Sequence, residues 1–219
     1  MLTKIQVKKD STLSKILFFD SIELKQVTLL FGGNGIGKSS LINAILKQDI
    51  VYEYDKSVLL YSYINSKQNF KELERNDHLD YRDMFDPSLI ARKFDASELS
   101  EGQSIVYSLQ DIFKLCSQLD SSDDHLILLD EIDSGLSVEN VDYVAKKIKA
   151  ICKKYPYIQF IIAFNNYVFC KTFKEVFNMY NGEWIKINSF DEYFDIINSN
   201  KKMLLKKRKN NMLTGKSDF

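Results

Sequence analysis

The sequence predicts an α/β domain: a central, mostly parallel sheet flanked by helices, with antiparallel edge strands and a small helical subdomain. Three observations predict it. A glycine-rich loop, Gly32-Gly33-Asn34-Gly35-Ile36-Gly37-Lys38-Ser39, joins an apolar run (Val27 to Phe31) to a helical pattern (Ser40 to Leu46). Leu126 to Leu129 is apolar throughout and Ile158 to Phe164 nearly so, as in strands buried on both faces of a parallel sheet. Between these two runs Val141, Val144, Ala145, Ile148 and Ile151 recur at helical spacing.

Length and charge set the bounds. At 219 residues, 45% hydrophobic and 27% charged, the chain reads as one globular domain with a sizeable core. Only 8 Gly and 2 Pro leave little room for a disordered linker. A formal net charge of zero argues against wholesale coating of nucleic acid but permits a local patch. Lys201, Lys202, Lys206, Lys207, Arg208 and Lys209 form one, so residues 201–219 read as a basic C-terminal tail. That tail is either a solvated charge run or a contact for DNA, and a DNA contact would weaken steeply with salt. No apolar run approaches the roughly 20 residues that span a bilayer, and Met1 to Lys4 begin no signal peptide. The expectation is a cytoplasmic protein without membrane insertion. Cys116, Cys152 and Cys170 lack metal-ligand spacing. The first two continue apolar stripes and read as core residues in a reducing compartment.

Ile5 and Val7 alternate with polar neighbours, a strand signal. Leu13 to Phe19 reads as a second strand and Ile22 to Leu24 as a short third. Phe18 and Phe19 are either stacking partners for a nucleotide base or core. The glycine loop fits the phosphate-binding pattern G-x-x-x-x-G-K-S/T of P-loop NTPases without mismatch. Its glycines let several N–H groups turn inward around a triphosphate, and the helix that Ser40 continues adds a positive dipole. Lys38 would reach the β- and γ-phosphates, and the Ser39 hydroxyl would ligate Mg²⁺.

Val58 to Ile64 reads as a buried strand. Phe70 to Asp95, broken at Pro87, is charged and weakly patterned, and a small helical subdomain is expected over about 66–117. Within it, Ser100 and Gln103 form a capping box, and Ile105, Leu109, Ile112 and Cys116 follow at helical spacing. The apolar run at Leu126 ends in Asp130-Glu131, at the strand end where α/β sheets place ligands. Asp130 would bind Mg²⁺ directly or through water. Glu131, facing the other way along the extended chain, would polarise the attacking water. Ser137 caps the next helix and Tyr155-Pro156 ends it. Ile158 to Phe164 runs into Asn165-Asn166. A helix near Cys170 to Phe177, an edge strand at Trp184 to Ile187 and a short helix from Phe190 to Ile197 complete the chain.

Together these residues resemble the ABC-type ATPase superfamily, and within it the compact SMC- and RecF-like AAA-family branch without a coiled coil. The order is phosphate loop, Leu99-Ser100-Glu101-Gly102-Gln103 (close to the family's LSGGQ), Asp130-Glu131, then Ser134-Gly135-Leu136 where the family has its D-loop. The resemblance covers Phe31 to Asn165. It implies an ABC-type domain over residues 1–200 and a head-to-tail dimer closing around two ATP. In that dimer Gly32 to Ser40 of one copy would face Ser100, Gly102 and Gln103 of the other across each ATP. Two departures matter. Asn165 stands where the family has a switch histidine, and an amide carries no positive charge, so hydrolysis without a partner would be slow. The family's Q-loop glutamine, a metal contact, has Gln68 as its candidate, otherwise a plain surface residue. The implied activity is ATP hydrolysis that switches a separately encoded effector, in DNA maintenance or phage defence. The alternatives are the ATP-binding subunit of a membrane transporter and a nucleotide-binding scaffold with little turnover.

Overall fold

A computed structural model describes residues 1–9, 11–47, 50–54, 58–64, 79–81 and 101–200. Gln68, Ser100, most of the expected helical subdomain and the basic tail from Lys201 lie outside the described residues. In chain order the elements are β1 (Leu2–Val7), α1 (Thr12–Ile16), β2 (Ser21–Glu23), β3 (Val27–Phe31), α2 (Lys38–Leu46), β4 (Ile50–Tyr54), β5 (Val58–Ile64) and β6 (Leu79–Tyr81). They continue as α3 (Glu101–Cys116), β7 (Asp124–Asp130), α4 (Val138–Lys154), β8 (Ile158–Ala163), α5 (Tyr167–Phe173), β9 (Glu175–Asn178), β10 (Glu183–Lys186) and α6 (190–200).

The large sheet runs β10-β9-β3-β8-β7-β5-β6. Its strands are parallel except β10, which pairs antiparallel with β9 as the expected edge strand. Alternation across the pleat divides the core in two. Leu126 and Leu128 of β7 join α2 and the small antiparallel sheet β2-β1-β4 in one cluster. Ile127 and Leu129 point the other way, onto α3, α4 and α5. The phosphate-loop helix is therefore packed between two sheets, with its start at the strand ends. Cys116, Cys152 and Cys170 are all buried in the second cluster, and burial pushes each thiol up to about 12. That is the behaviour of small core residues. No helix among the described residues is long and apolar enough to cross a membrane.

Four elements depart from expectation. Leu13 to Phe19 is not a strand: it begins in α1, because the Ser11 side chain accepts the Ser14 N–H and caps the turn. Leu13 and Leu17, four apart, then fall on one buried face. The helix near Cys170 starts earlier, at the Asn166 cap, and stops at Phe173. Glu175 to Asn178 instead forms β9, because Leu30 and Phe31 offer it an open parallel edge. Finally, Ile50 to Tyr54, a run of strand formers absent from the expected order, forms β4 against β1. Phe18 and Phe19 pack against the first cluster, and Phe19 sits edge-on to Phe177 at 5.0 Å between ring centres. Both are half-buried against that cluster.

Candidate nucleotide-binding site

The register of the parallel strands builds the site. Leu30 of β3 and Asp130 of β7 both pair with Ala163 of β8, so the three strands end together. The residues that follow the strands, Gly32 after β3, Glu131 after β7 and Phe164-Asn165 after β8, therefore emerge side by side at the carboxyl edge.

At that edge the glycine loop enters α2 through Gly37, whose φ of 103° is left-handed and favours glycine. A Cβ there would stand 2.9 Å from the Leu17 side chain. No side chain caps α2, so the first N–H groups of the helix keep their capacity to bind an anion. Gly33 answers a different demand. Its N–H donates to the Tyr180 hydroxyl at 2.8 Å, and a Cβ would stand equally close to that oxygen. Tyr180, on the β9–β10 turn, thus braces the loop from below. It carried no signal in the sequence.

Lys38 is 5% exposed, and its ammonium donates to the Gly32 carbonyl at 2.5 Å, the Gly33 carbonyl at 3.3 Å and Asn165 Oδ1 at 3.0 Å. Burial lowers its pKa, while the charges of Asp133, Glu131 and Asp130 work in the opposite direction. Lys38 and Asn165, 127 residues apart, are thereby brought together, as are Ser39 and Asp130. The Ser39 hydroxyl donates to Asp130 Oδ1 at 3.0 Å. Asp130 is 1% exposed, and its Oδ2 has no hydrogen-bond partner among the described residues. A buried carboxylate oxygen left open beside a hydroxyl suits a hard cation that takes its other ligands from phosphate and water. Asp130 and Ser39 therefore fit Mg²⁺. Among the described residues no group of three or more His, Cys, Asp or Glu is arranged to hold a metal by itself.

Burial pushes the Asp130 carboxyl up to about 6, against the Ser39 hydrogen bond, with Glu131 adding to the rise and Lys38 opposing it. The sign follows. A carboxyl whose pKa is higher folded than unfolded destabilises the fold when ionised; that cost begins to fall as pH drops through about 6 and is gone below the unfolded value of 3.8. In chelator, the melting temperature of the wild-type chain should gain a few degrees relative to Asp130→Asn between about pH 7 and about pH 5. Parallel curves for the two proteins would refute the buried-carboxylate picture.

Glu131 does not lie on an extended chain, as its sequence position suggested. Its φ is 52°, left-handed for a residue with a side chain. Its N–H makes the last cross-strand bond, to Ala163, and its carbonyl accepts from Ser134. The chain thus turns sharply at Glu131, next to Asp130 and away from the sheet. Of the expected signature, Gly102 and Gln103 lie within α3, while the expected Ser100 cap lies outside the described residues. Asn34 and Gly35 are exposed at the loop tip, Ile36 is buried, and Ser40 is half-buried in the first turn of α2. Asp133 and Tyr193 were missed. Both hold Asn165, and nothing local in the sequence marks them.

No protein-family model matches the chain, and no curated protein matches it. Solved structures do. MJ1267, an ATP-binding cassette of an ABC transporter, aligns over 92% of this chain and 97% of its own, at 15% identity and a TM-score of 0.51. A nucleotide-free ATP-binding cassette from an ABC transporter aligns over 93% and 98%, at 17% identity and a TM-score of 0.46. For cbiO1 from Clostridium perfringens, part of the ABC transporter complex cbiONQ, the shares are 90% and 90%, at 17% identity and a TM-score of 0.43. The likeness is one of fold. The chain has the α/β fold of an ATP-binding cassette.

Proposed function

We propose that this chain binds ATP with Mg²⁺ and hydrolyses it, closing head to tail on a second copy and switching a separately encoded effector. The observation that carries the reading is the meeting of Lys38, Ser39, Asp130 and Asn165 at one sheet edge, from three strand ends. The uncapped N–H groups of α2 and the Lys38 ammonium hold the β- and γ-phosphates. Ser39 and Asp130 hold Mg²⁺, which when bound neutralises phosphate charge. Glu131 takes the proton of the water that attacks the γ-phosphorus, the bridging bond to ADP breaks, and phosphate leaves. Asn165 orients the γ-phosphate side of the site without supplying a charge, so turnover in the isolated chain is slow.

Within this reading the signature at Ser100, Gly102 and Gln103 serves the opposing copy. The role of transporter subunit, working with a membrane partner, is a second reading, favoured by the full-length likeness to a transporter cassette. A scaffold that binds ATP with little turnover is a third, and Asn165 is what favours it. Gln68 as a metal contact, the helical subdomain over about 66–117 and DNA binding by the tail remain proposals from the sequence.

Light scattering with and without Mg²⁺·ATP tests the dimer. The wild-type mass should double with nucleotide, and Ser100→Arg should stay monomeric while still binding ATP, because its long side chain fills the opposing phosphate's place. Equal masses for both proteins in both conditions would refute head-to-tail closure.

A further inference from the structure

Beyond Ala163 the backbone of β8 loses its neighbours on both sides. Strand β3 has already entered the glycine loop, and β7 has turned away at Glu131. The amides of Asn165 and Asn166 are therefore left without a sheet ladder. Asp133 replaces it: its Oδ2 accepts the Asn165 N–H at 2.7 Å and the Asn166 N–H at 2.5 Å. Asp133 is 7% exposed, and its other oxygen has no hydrogen-bond partner among the described residues. A buried carboxylate is costly unless its bonds are good, and two amides converging on one oxygen are the charge-assisted kind. The rest of Asn165 is held as well. Its carbonyl accepts from the Tyr193 hydroxyl at 2.5 Å, and its side-chain oxygen accepts from Lys38. Asn166 is in turn the cap of α5, its side chain accepting from Val168.

We propose that Asp133 is a positioning residue for ATP hydrolysis: it fastens the segment Asn165–Asn166 to the turn after β7 and so keeps the Asn165 side chain on the phosphate-loop lysine. This rests on the reading of the chain as an ATPase. In this reading Asp133 is not itself a phosphate ligand. It acts through the backbone of Asn165, and its removal should slow the chemical step without weakening ATP binding.

The test compares wild type, Asp133→Asn and Asp133→Ala by amide hydrogen exchange, steady-state phosphate release and ATP titration. Alanine leaves two amides without an acceptor, so exchange at Asn165 and Asn166 should accelerate about tenfold or more and kcat fall about as much. Asparagine keeps one acceptor oxygen in the same place but without charge, so both effects should be intermediate, about threefold. The Kd for ATP should rise by no more than about threefold in either variant. Asparagine is isosteric and decides the matter alone should the alanine variant not fold. Wild-type exchange and wild-type kcat in Asp133→Asn would overturn the proposal. So would faster exchange with unchanged kcat, or an ATP affinity that falls in step with kcat. A wild-type chain that releases no phosphate refutes the ATPase reading instead, and the exchange data still decide whether Asp133 holds the segment.

Discussion

Lys38→Ala should abolish measurable ATP binding, a loss of about a hundredfold or more, while the fold survives. The loss is large because the ammonium sits among the charges of Asp133, Glu131 and Asp130 and offsets them. Without it the triphosphate keeps the backbone dipoles and its Mg²⁺ but loses the ammonium that offsets these carboxylates. The fold survives because two changes offset each other. Removing the ammonium leaves the Gly32 and Gly33 carbonyls and Asn165 Oδ1 without their donor, but it also removes a buried charge whose desolvation was unfavourable. Titration calorimetry reads the affinity and far-ultraviolet circular dichroism the fold. A folded variant that binds ATP as tightly as wild type would remove Lys38 from the phosphate site and with it the proposed function.

Glu131→Gln should lower kcat by about a hundredfold to ten-thousandfold, the range for losing a general base, and leave ATP binding intact. Glutamine has nearly the same shape but accepts no proton from water. The strained backbone should be unaffected, because the bonds that hold it are main-chain ones: the N–H to Ala163 and the carbonyl from Ser134. The same variant should hold the ATP-bound dimer closed, since every phosphate contact remains while the reaction that ends it is slowed. Single-turnover phosphate release gives the rate, and light scattering with ATP gives the mass. Undiminished turnover would assign the proton to another group. A mass that stays unchanged with ATP would leave Lys38 and Ser39 as the site of a monomeric NTPase.

What the chain carries locally was legible in its residue order. Gly32 to Ser39 could be read because a phosphate loop is one continuous turn, and the left-handed Gly37 and uncapped α2 are properties of that turn alone. The Ser137 cap, the stripe from Val141 to Ile151 and the apolar run into Asp130 are likewise patterns of neighbours, set by helical and strand periods. Tertiary structure decided what depends on partners far away. Residues 13–19 became α1 and a connection where the local pattern allowed a strand, and β9 formed because β3 had an edge to offer. The same holds at the site. Asp133 meets Asn165 across 32 residues, Tyr180 meets Gly33 across 147, and Lys38 meets Asn165 across 127. The register of β3, β8 and β7 at Ala163 places the two encounters at Asn165, and the register of β9 on β3 places Tyr180. Register is a property of paired strands, and no stretch of one strand's sequence contains it.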